Sequence, residues 1–119
     1  MKKKDNFDRS LAKLIEFLSS SPKTELEKTG VIQAFEFTFE AAWKYLQSLA
    51  QEAGYECGSP KAAFVCAIQM GLIPVEQEAV WSEMLKDRNL TSHTYQAVLL
   101  ETMFDRIKNQ YSLELSRLK

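Results

Sequence analysis

The sequence predicts an all-α protein, an antiparallel up-and-down bundle of four main helices and a short one. Apolar residues recur at three- and four-residue spacing along most of the chain, and no segment shows the alternation of a strand. Proline, glycine and serine separate the periodic segments, so the connections between helices are short. The 119 residues suffice for one domain, residues 1–119, whose core needs neither disulfides nor metals.

Local signals set the helix boundaries in the first half of the chain. The first helix is expected over about residues 5–20, and it stops at the run SSSP that ends with Pro22. The second begins between Pro22 and Thr24, because the acidic residues that follow favour the positive end of a helix dipole. It runs to Gly54, a candidate C-cap.

The second helix is apolar over much of its circumference. Such a helix packs against neighbours on several sides, so we expect it to be the central helix of the bundle or a dimer face. Its apolar positions form two stripes, the first being Val31, Phe35, Thr38, Ala42, Tyr45 and Leu49 and the second Ile32, Phe39, Trp43, Leu46 and Ala50.

The second half of the chain predicts three further helices. Ser59 and Pro60 supply a cap and a first-turn proline for the third helix, which closes at Gly71 and Pro74. The apolar positions that define the other two are Val80, Trp81, Met84 and Leu85 in the fourth helix and Leu100, Phe104, Ile107, Tyr111 and Leu118 in the fifth.

Charge and composition exclude several classes of protein. The formal net charge is -1, so no domain-wide basic field favours nucleic acid, and any such contact must be local. Polar residues stand where a signal peptide needs an apolar segment, and no apolar run is long enough to span a membrane. We therefore expect a cytoplasmic protein. Cys57 and Cys66 lack the spacing of a zinc site and are expected to be reduced, structural thiols, and no cofactor is predicted.

The run DRNLTSHTY at residues 87–95 concentrates polar groups with catalytic potential. Arg88 lies seven residues after Trp81 and four after Met84, which places it on the apolar side of the fourth helix. A guanidinium there needs an anion, a carboxylate or an interface cavity, because arginine keeps its charge at every physiological pH. Two interpretations stay open at this point, a structural ion pair and an anion-binding site.

His93 is the single histidine of the chain. On an unbroken helix, five residues at ~100° each would put Arg88 and His93 ~140° apart, on different faces. They can cooperate if the helix ends near Thr91 or Ser92 and His93 turns back, or if a two-fold dimer builds a composite site. Two histidines could then take and give protons while an RNA 2'-hydroxyl attacks its phosphate, and arginine could neutralise the transition state. Asn89 could hold a phosphate oxygen or orient the histidine.

The run RNLTSHTY at residues 88–95 resembles the R-x-x-x-x-H-x-Y signature of HepT-type toxins in the HEPN superfamily. The runs FEFTFEAAWKYL, SPKAAF and WSEMLKDRNLTSHTY are also similar to proteins described as nucleotidyltransferase substrate-binding proteins. The resemblance covers most of the chain. The short signature alone is weakly specific, but the helical frame and these runs together make the resemblance strong.

The resemblance implies a HEPN-like bundle that forms a homodimer and acts as a metal-independent endoribonuclease toxin. Arg88 and His93 of both subunits would be catalytic at the interface, and Asn89 matches the polar residue that follows the arginine. The implied partner is a minimal nucleotidyltransferase (MNT) antitoxin, which transfers AMP from ATP to the signature tyrosine, here Tyr95. Negative charge and bulk on Tyr95 would lie beside His93 and obstruct RNA. An unmodified Tyr95 could stack on a base, or pack half-buried at a helix start.

A function of a different class stays open as the alternative. The protein could be a non-enzymatic subunit that binds a substrate or nucleotide and presents it to the nucleotidyltransferase. The signature favours the endoribonuclease, whereas the modest net charge and the lack of a broad basic surface leave room for the binding subunit.

Other conspicuous side chains are given structural interpretations. Glu36 and Glu40 form an acidic pair, but Lys44 at the next four-residue step offers an ordinary surface pairing, so we expect a solvated face or an interface role. Trp43 and Trp81 lie at helical spacing among apolar residues and are expected in the core. The N-terminal lysines could assist RNA binding, although a frayed, solvated terminus is the simpler expectation.

Overall fold

The computed structural model describes residues 2–118, which form an all-helical bundle without a strand in that range. The predicted all-α class is confirmed. The α-helices are α1 (Lys2–Ser19), α2 (Glu25–Glu52), α3 (Pro60–Gln69), α4 (Glu78–Arg88), α5 (Ala97–Arg106) and α6 (Ser112–Ser116). Short 3₁₀ turns lie at Val75–Gln77 and Thr91–His93, and a π-helical segment at Ile107–Tyr111 joins α5 and α6 into one rod, the predicted fifth helix. None of these helices is both long and apolar enough to cross a lipid bilayer.

α1 and α2 pack side by side in opposite directions. The Phe7 ring near the start of α1 stacks on Tyr45 near the end of α2, with centroids 6.0 Å apart. The prediction of a frayed N-terminus is wrong for the lysines at positions 2–4, which are helical. Lys4 Nζ pairs with Asp8 Oδ2 at 2.9 Å, and the buried Phe7 anchors the same turn.

Both ends of α2 follow the sequence signals closely. Thr24 is the N-cap, and its hydroxyl accepts from the Glu27 N–H at 3.1 Å while the Glu27 carboxylate accepts from the Thr24 N–H at 2.9 Å. Backbone N–H donors of Thr24 and Lys23 lower the pKa of the Glu27 carboxyl. Gly54 follows the C-terminus with φ +92°, and the Tyr55 N–H closes the last turn on the Ala50 carbonyl at 2.9 Å.

α2 is the central helix, as its two apolar stripes predict. Its buried aromatic rings pack against rings from other elements. The ring centroid of Phe35 lies 5.3 Å from that of Tyr111 in the π-helical segment, and the centroid of Phe39 lies 6.3 Å from that of Trp81 in α4. Trp81 also lies 6.2 Å from Phe64 of α3, which confirms it as a core residue. Aromatic packing therefore ties α3, α4 and the C-terminal rod to α2.

The two cysteines lie together, Cys57 in the connection before α3 and Cys66 within α3. Their Sγ atoms are 2.7 Å apart, and both are buried free thiols. Burial, together with the hydrogen bond to Cys66, raises the pKa of the Cys57 thiol to about 11. Because the thiolate is the reactive form, Cys57 is a poor nucleophile at neutral pH, in agreement with the predicted structural thiols.

Candidate functional site

α4 ends at Arg88, earlier than the sequence suggested. The Asn89 N–H still donates to the Leu85 carbonyl, four residues earlier. The Leu90 N–H instead donates to the backbone carbonyl of Asp87, three residues earlier, at 2.9 Å, and the chain turns there. The angle expected for an unbroken helix therefore does not apply. Of the two geometries open at the sequence level, an early helix end is the one present within this chain.

Two threonine hydroxyls hold the turn that follows. Thr91 Oγ1 donates to the Arg88 carbonyl at 2.9 Å, and Thr94 Oγ1 donates to the Thr91 carbonyl at 2.9 Å. Thr91 is buried, and its 3₁₀ turn contacts α2. The turn is thus fixed by its own hydrogen bonds and by one buried side chain, while Asn89 and Ser92 stay exposed.

Arg88 lies against the acidic pair of α2. Its Nε donates to Glu40 Oε1 at 3.2 Å, and its Nη1 lies 3.9 Å from Glu36 Oε2. The expected surface pairing of these carboxylates with Lys44 is wrong, because Glu40 instead accepts from Arg88 and, through Oε2, from Trp43 Nε1 at 3.2 Å. Arg88 therefore pairs with a carboxylate, as the ion-pair interpretation of its position predicts.

The expected placement of Arg88 on the apolar side needs a correction. Its side chain is 30% exposed, whereas the neighbouring Asp87 is the buried residue. Arg106 Nη1 donates to both Asp87 oxygens, at 2.9 and 3.0 Å, and the Tyr111 hydroxyl donates to Oδ2 at 2.5 Å. The C-terminal rod wraps this side of α4 and buries a position that the local pattern left polar.

Sequence reasoning missed Asp87, although one signal pointed to it. Tyr111 belongs to the predicted apolar stripe, and a buried tyrosine hydroxyl needs an acceptor. Burial, followed by the hydrogen bond to Asp87, raises the pKa of Tyr111, and the same carboxylate raises the pKa of Arg106. These bonds lock the end of α4 to the rod and so fix the backbone that carries Arg88.

His93 and Tyr95 project from the turn into solvent. His93 is exposed, Tyr95 is 76% exposed, and their ring centroids lie 6.4 Å apart. The prediction that Tyr95 packs half-buried at a helix start is therefore wrong. Within residues 2–118, the His93 side chain makes neither a hydrogen bond nor an ion pair, and none links it to Arg88. The four predicted site residues share one short segment, in which the rings of His93 and Tyr95 lie side by side.

The comparisons with known proteins agree with the fold and with the family resemblance. A family model described as "Nucleotidyltransferase substrate binding protein like" matches residues 2–119. A crystal structure of a protein from Thermus thermophilus is similar at 34% identity with a TM-score of 0.86, over 94% of each chain. The comparison with curated proteins gave no match. The predicted HepT-like resemblance is confirmed, and the chain belongs to the nucleotidyltransferase substrate-binding-protein-like family.

Proposed function

We propose that this protein is the toxin of a HEPN/MNT toxin–antitoxin pair, a cytoplasmic, metal-independent endoribonuclease that acts as a homodimer. The observation that carries the proposal is the state of His93. A structural histidine is normally buried or hydrogen-bonded, whereas this one is exposed and, within residues 2–118, without a hydrogen bond. It stands on a turn that the Thr91 and Thr94 hydroxyls hold by hydrogen bonds. An unengaged imidazole on such a hydrogen-bonded turn suits a general acid or base.

The chemistry needs a group to accept the proton of the RNA 2'-hydroxyl and another to protonate the leaving oxygen. The chain has one histidine, so two histidines can serve as the two groups only when two copies meet, which favours a composite site. Arg88 would neutralise the charge that develops on the phosphate, and Asn89 would bind a phosphate oxygen. Arg88 lies five residues and Asn89 four residues before His93 in the sequence.

Arg88 keeps the donors that this role requires. Glu40 occupies only Nε, and the contact from Nη1 to Glu36 is 3.9 Å, too long for a hydrogen bond. Since a guanidinium has five N–H donors, its terminal nitrogens stay available to a phosphate within the described part of the chain. The ion pair with Glu40 would then orient the guanidinium.

Purified protein that carries no AMP is expected to cleave total RNA and tRNA in the presence of EDTA. Attack by the 2'-hydroxyl makes the RNA its own nucleophile, so the products should carry 2',3'-cyclic phosphate ends. Gel electrophoresis measures the cleavage, and mass spectrometry identifies the ends. Intact RNA after incubation with protein shown by mass spectrometry to be unmodified would contradict the proposed activity.

Tyr95 is the expected site of inhibition. With a partner nucleotidyltransferase and ATP, the wild-type protein should gain AMP and lose RNA cleavage, because the new phosphate lies beside the His93 ring. Tyr95→Phe should gain no AMP and keep its activity. Tyr55→Phe, a change at another exposed tyrosine, should behave as the wild type. AMP found by peptide mass spectrometry on any residue other than Tyr95 would overturn this assignment.

One observation favours the alternative of a non-enzymatic subunit that binds a substrate or nucleotide for the transferase. Glu36 and Glu40 reduce the positive potential around Arg88, and the chain as a whole carries a net charge of -1. A binding subunit of this kind should raise nucleotide transfer by its partner to a third substrate. His93→Ala should leave that stimulation unchanged, whereas it should abolish an endoribonuclease.

A further inference from the structure

A surface cleft of about 250 Å³ lies between the first turns of α1 and the middle of α2. Phe37, Glu40, Ala41 and Lys44 are consecutive positions on one face of α2, and they form one wall and the floor. Lys3 and Asn6 of α1 form the other wall. Glu40 also binds Arg88, so the cleft directly adjoins the candidate catalytic segment.

The most unusual side chain in the cleft is Phe37. It is 60% exposed in the middle of the central helix, whereas Phe35 and Phe39, two residues to either side, are completely buried. Ala41 beside it is small, which leaves the ring accessible from within the cleft. An exposed aromatic ring over a small floor residue is a suitable stacking surface for a planar group.

The charges around this ring favour an anion. Lys3 and Lys44 are exposed, and neither forms an ion pair with any side chain in residues 2–118. The one carboxylate in the cleft, Glu40, already accepts hydrogen bonds at both oxygens, from Arg88 and from the Trp43 ring N–H. Two available ammonium groups therefore flank the exposed aromatic ring while the acid is engaged elsewhere.

We propose that this cleft binds one nucleotide of single-stranded RNA beside the phosphate that is cleaved. The base stacks on Phe37, Lys3 and Lys44 bind the adjoining phosphates, and Asn6 can hydrogen-bond the edge of the base. This inference rests on the proposed endoribonuclease function, to which it adds a substrate subsite. Stacking accepts any base, so the subsite gives affinity for unpaired RNA more than sequence specificity.

A second cleft indicates the path that the RNA strand would take across the surface. It measures about 220 Å³ and begins at the shared residue Lys3. Lys2 and Lys4 of α1 line one side, where Lys4 is paired with Asp8, and residues of the last turns of α2, including Glu52, line the other. Together the two clefts form a track from Glu40 toward the C-terminal end of α2, with lysines along its length. An RNA strand that leaves Arg88 would follow this basic edge of the α1–α2 pair.

The test measures RNA binding apart from cleavage. The His93→Ala protein is titrated with a short fluorescently labelled single-stranded RNA, and binding is followed by anisotropy. Adding Phe37→Ala should weaken binding by roughly 5- to 150-fold, the loss of one stacked base. Adding Lys44→Gln should lower the salt dependence of binding by about 0.7 in the log–log slope. Adding Leu113→Ala, at a residue of similar exposure (61%) in α6, should have no effect.

The outcomes separate the subsite from the proposed function. If the wild type cleaves RNA but Phe37→Ala binds it as tightly as the parent protein, the subsite is wrong and the endoribonuclease stands. If the wild type neither binds nor cleaves RNA, both proposals fail. Light scattering decides the remaining possibility: conversion of a dimer to monomers by Phe37→Ala would show that a second copy covers the cleft, and would exclude the nucleotide site. Circular dichroism confirms that each variant is folded.

Discussion

His93→Ala is expected to abolish RNA cleavage without loss of helical structure. The side chain is exposed and makes no hydrogen bond or ion pair within residues 2–118, so its removal should leave the free energy of unfolding within about 0.5 kcal/mol of the wild type. A general acid or base contributes roughly 10²- to 10⁴-fold to the rate. In a two-fold site the substitution removes both histidines, the acid and the base, at once. Cleavage is measured with EDTA present, and stability by urea unfolding.

Ser92→Ala is the matched control, because Ser92 is the exposed neighbour of His93 on the same turn. It should keep full activity. Arg88→Lys should lose about 10²-fold or more, since lysine keeps the charge but loses the planar fork that binds two oxygens. His93→Ala protein that cleaves RNA at the wild-type rate would remove the main support for the proposed mechanism.

Asp87→Ala is expected to cause the largest loss of stability among single changes near the site, about 3 kcal/mol. The change leaves the Tyr111 hydroxyl buried without its acceptor and the Arg106 guanidinium without its carboxylate. The value is at the lower end for a broken buried pair, because the Arg106 side chain is 38% exposed and water can solvate it. Urea unfolding followed by tryptophan fluorescence, to which the buried Trp81 contributes, measures the loss.

Two variants test this explanation. Asp105→Ala changes an exposed aspartate of α5 and should shift the unfolding midpoint little. Tyr111→Phe removes the hydroxyl together with its need for an acceptor, so it should cost less than Asp87→Ala. If Asp87→Ala and Asp105→Ala proved equally stable, the hydrogen bonds of Asp87 would not hold α4 to the rod.

Much of the fold could be predicted because its signals are local. The capping box at Thr24 and the glycine after α2 involve contacts within a few residues, which a single sequence displays directly. The end of α4 could not be placed in the same way. The end of α4 depends on the hydrogen bonds of Asp87 with Arg106 and Tyr111. The π-helical segment sets the arrangement of these two residues, and no periodic pattern in the sequence predicts such a segment.

The sequence proposes the residues of the candidate site but not their contacts. The signature identifies Arg88, His93 and Tyr95, and the structure places the last two side by side in solvent. The partner of Arg88 lies 48 residues earlier, on α2. A pairing over that distance depends on how two helices pack, so the sequence could propose a carboxylate for Arg88 without naming Glu40 as that carboxylate.

The ion pair between Arg88 and Glu40 also determines which anions can use this arginine. The Glu40 carboxylate occupies Nε and lies beside the terminal nitrogens, so its negative charge opposes the approach of a single anion to them. Free phosphate or chloride therefore gains little at Arg88. A polyanion that also engages Lys3 and Lys44 is held near Arg88 by several contacts at once, and this multivalency selects long chains over small ions.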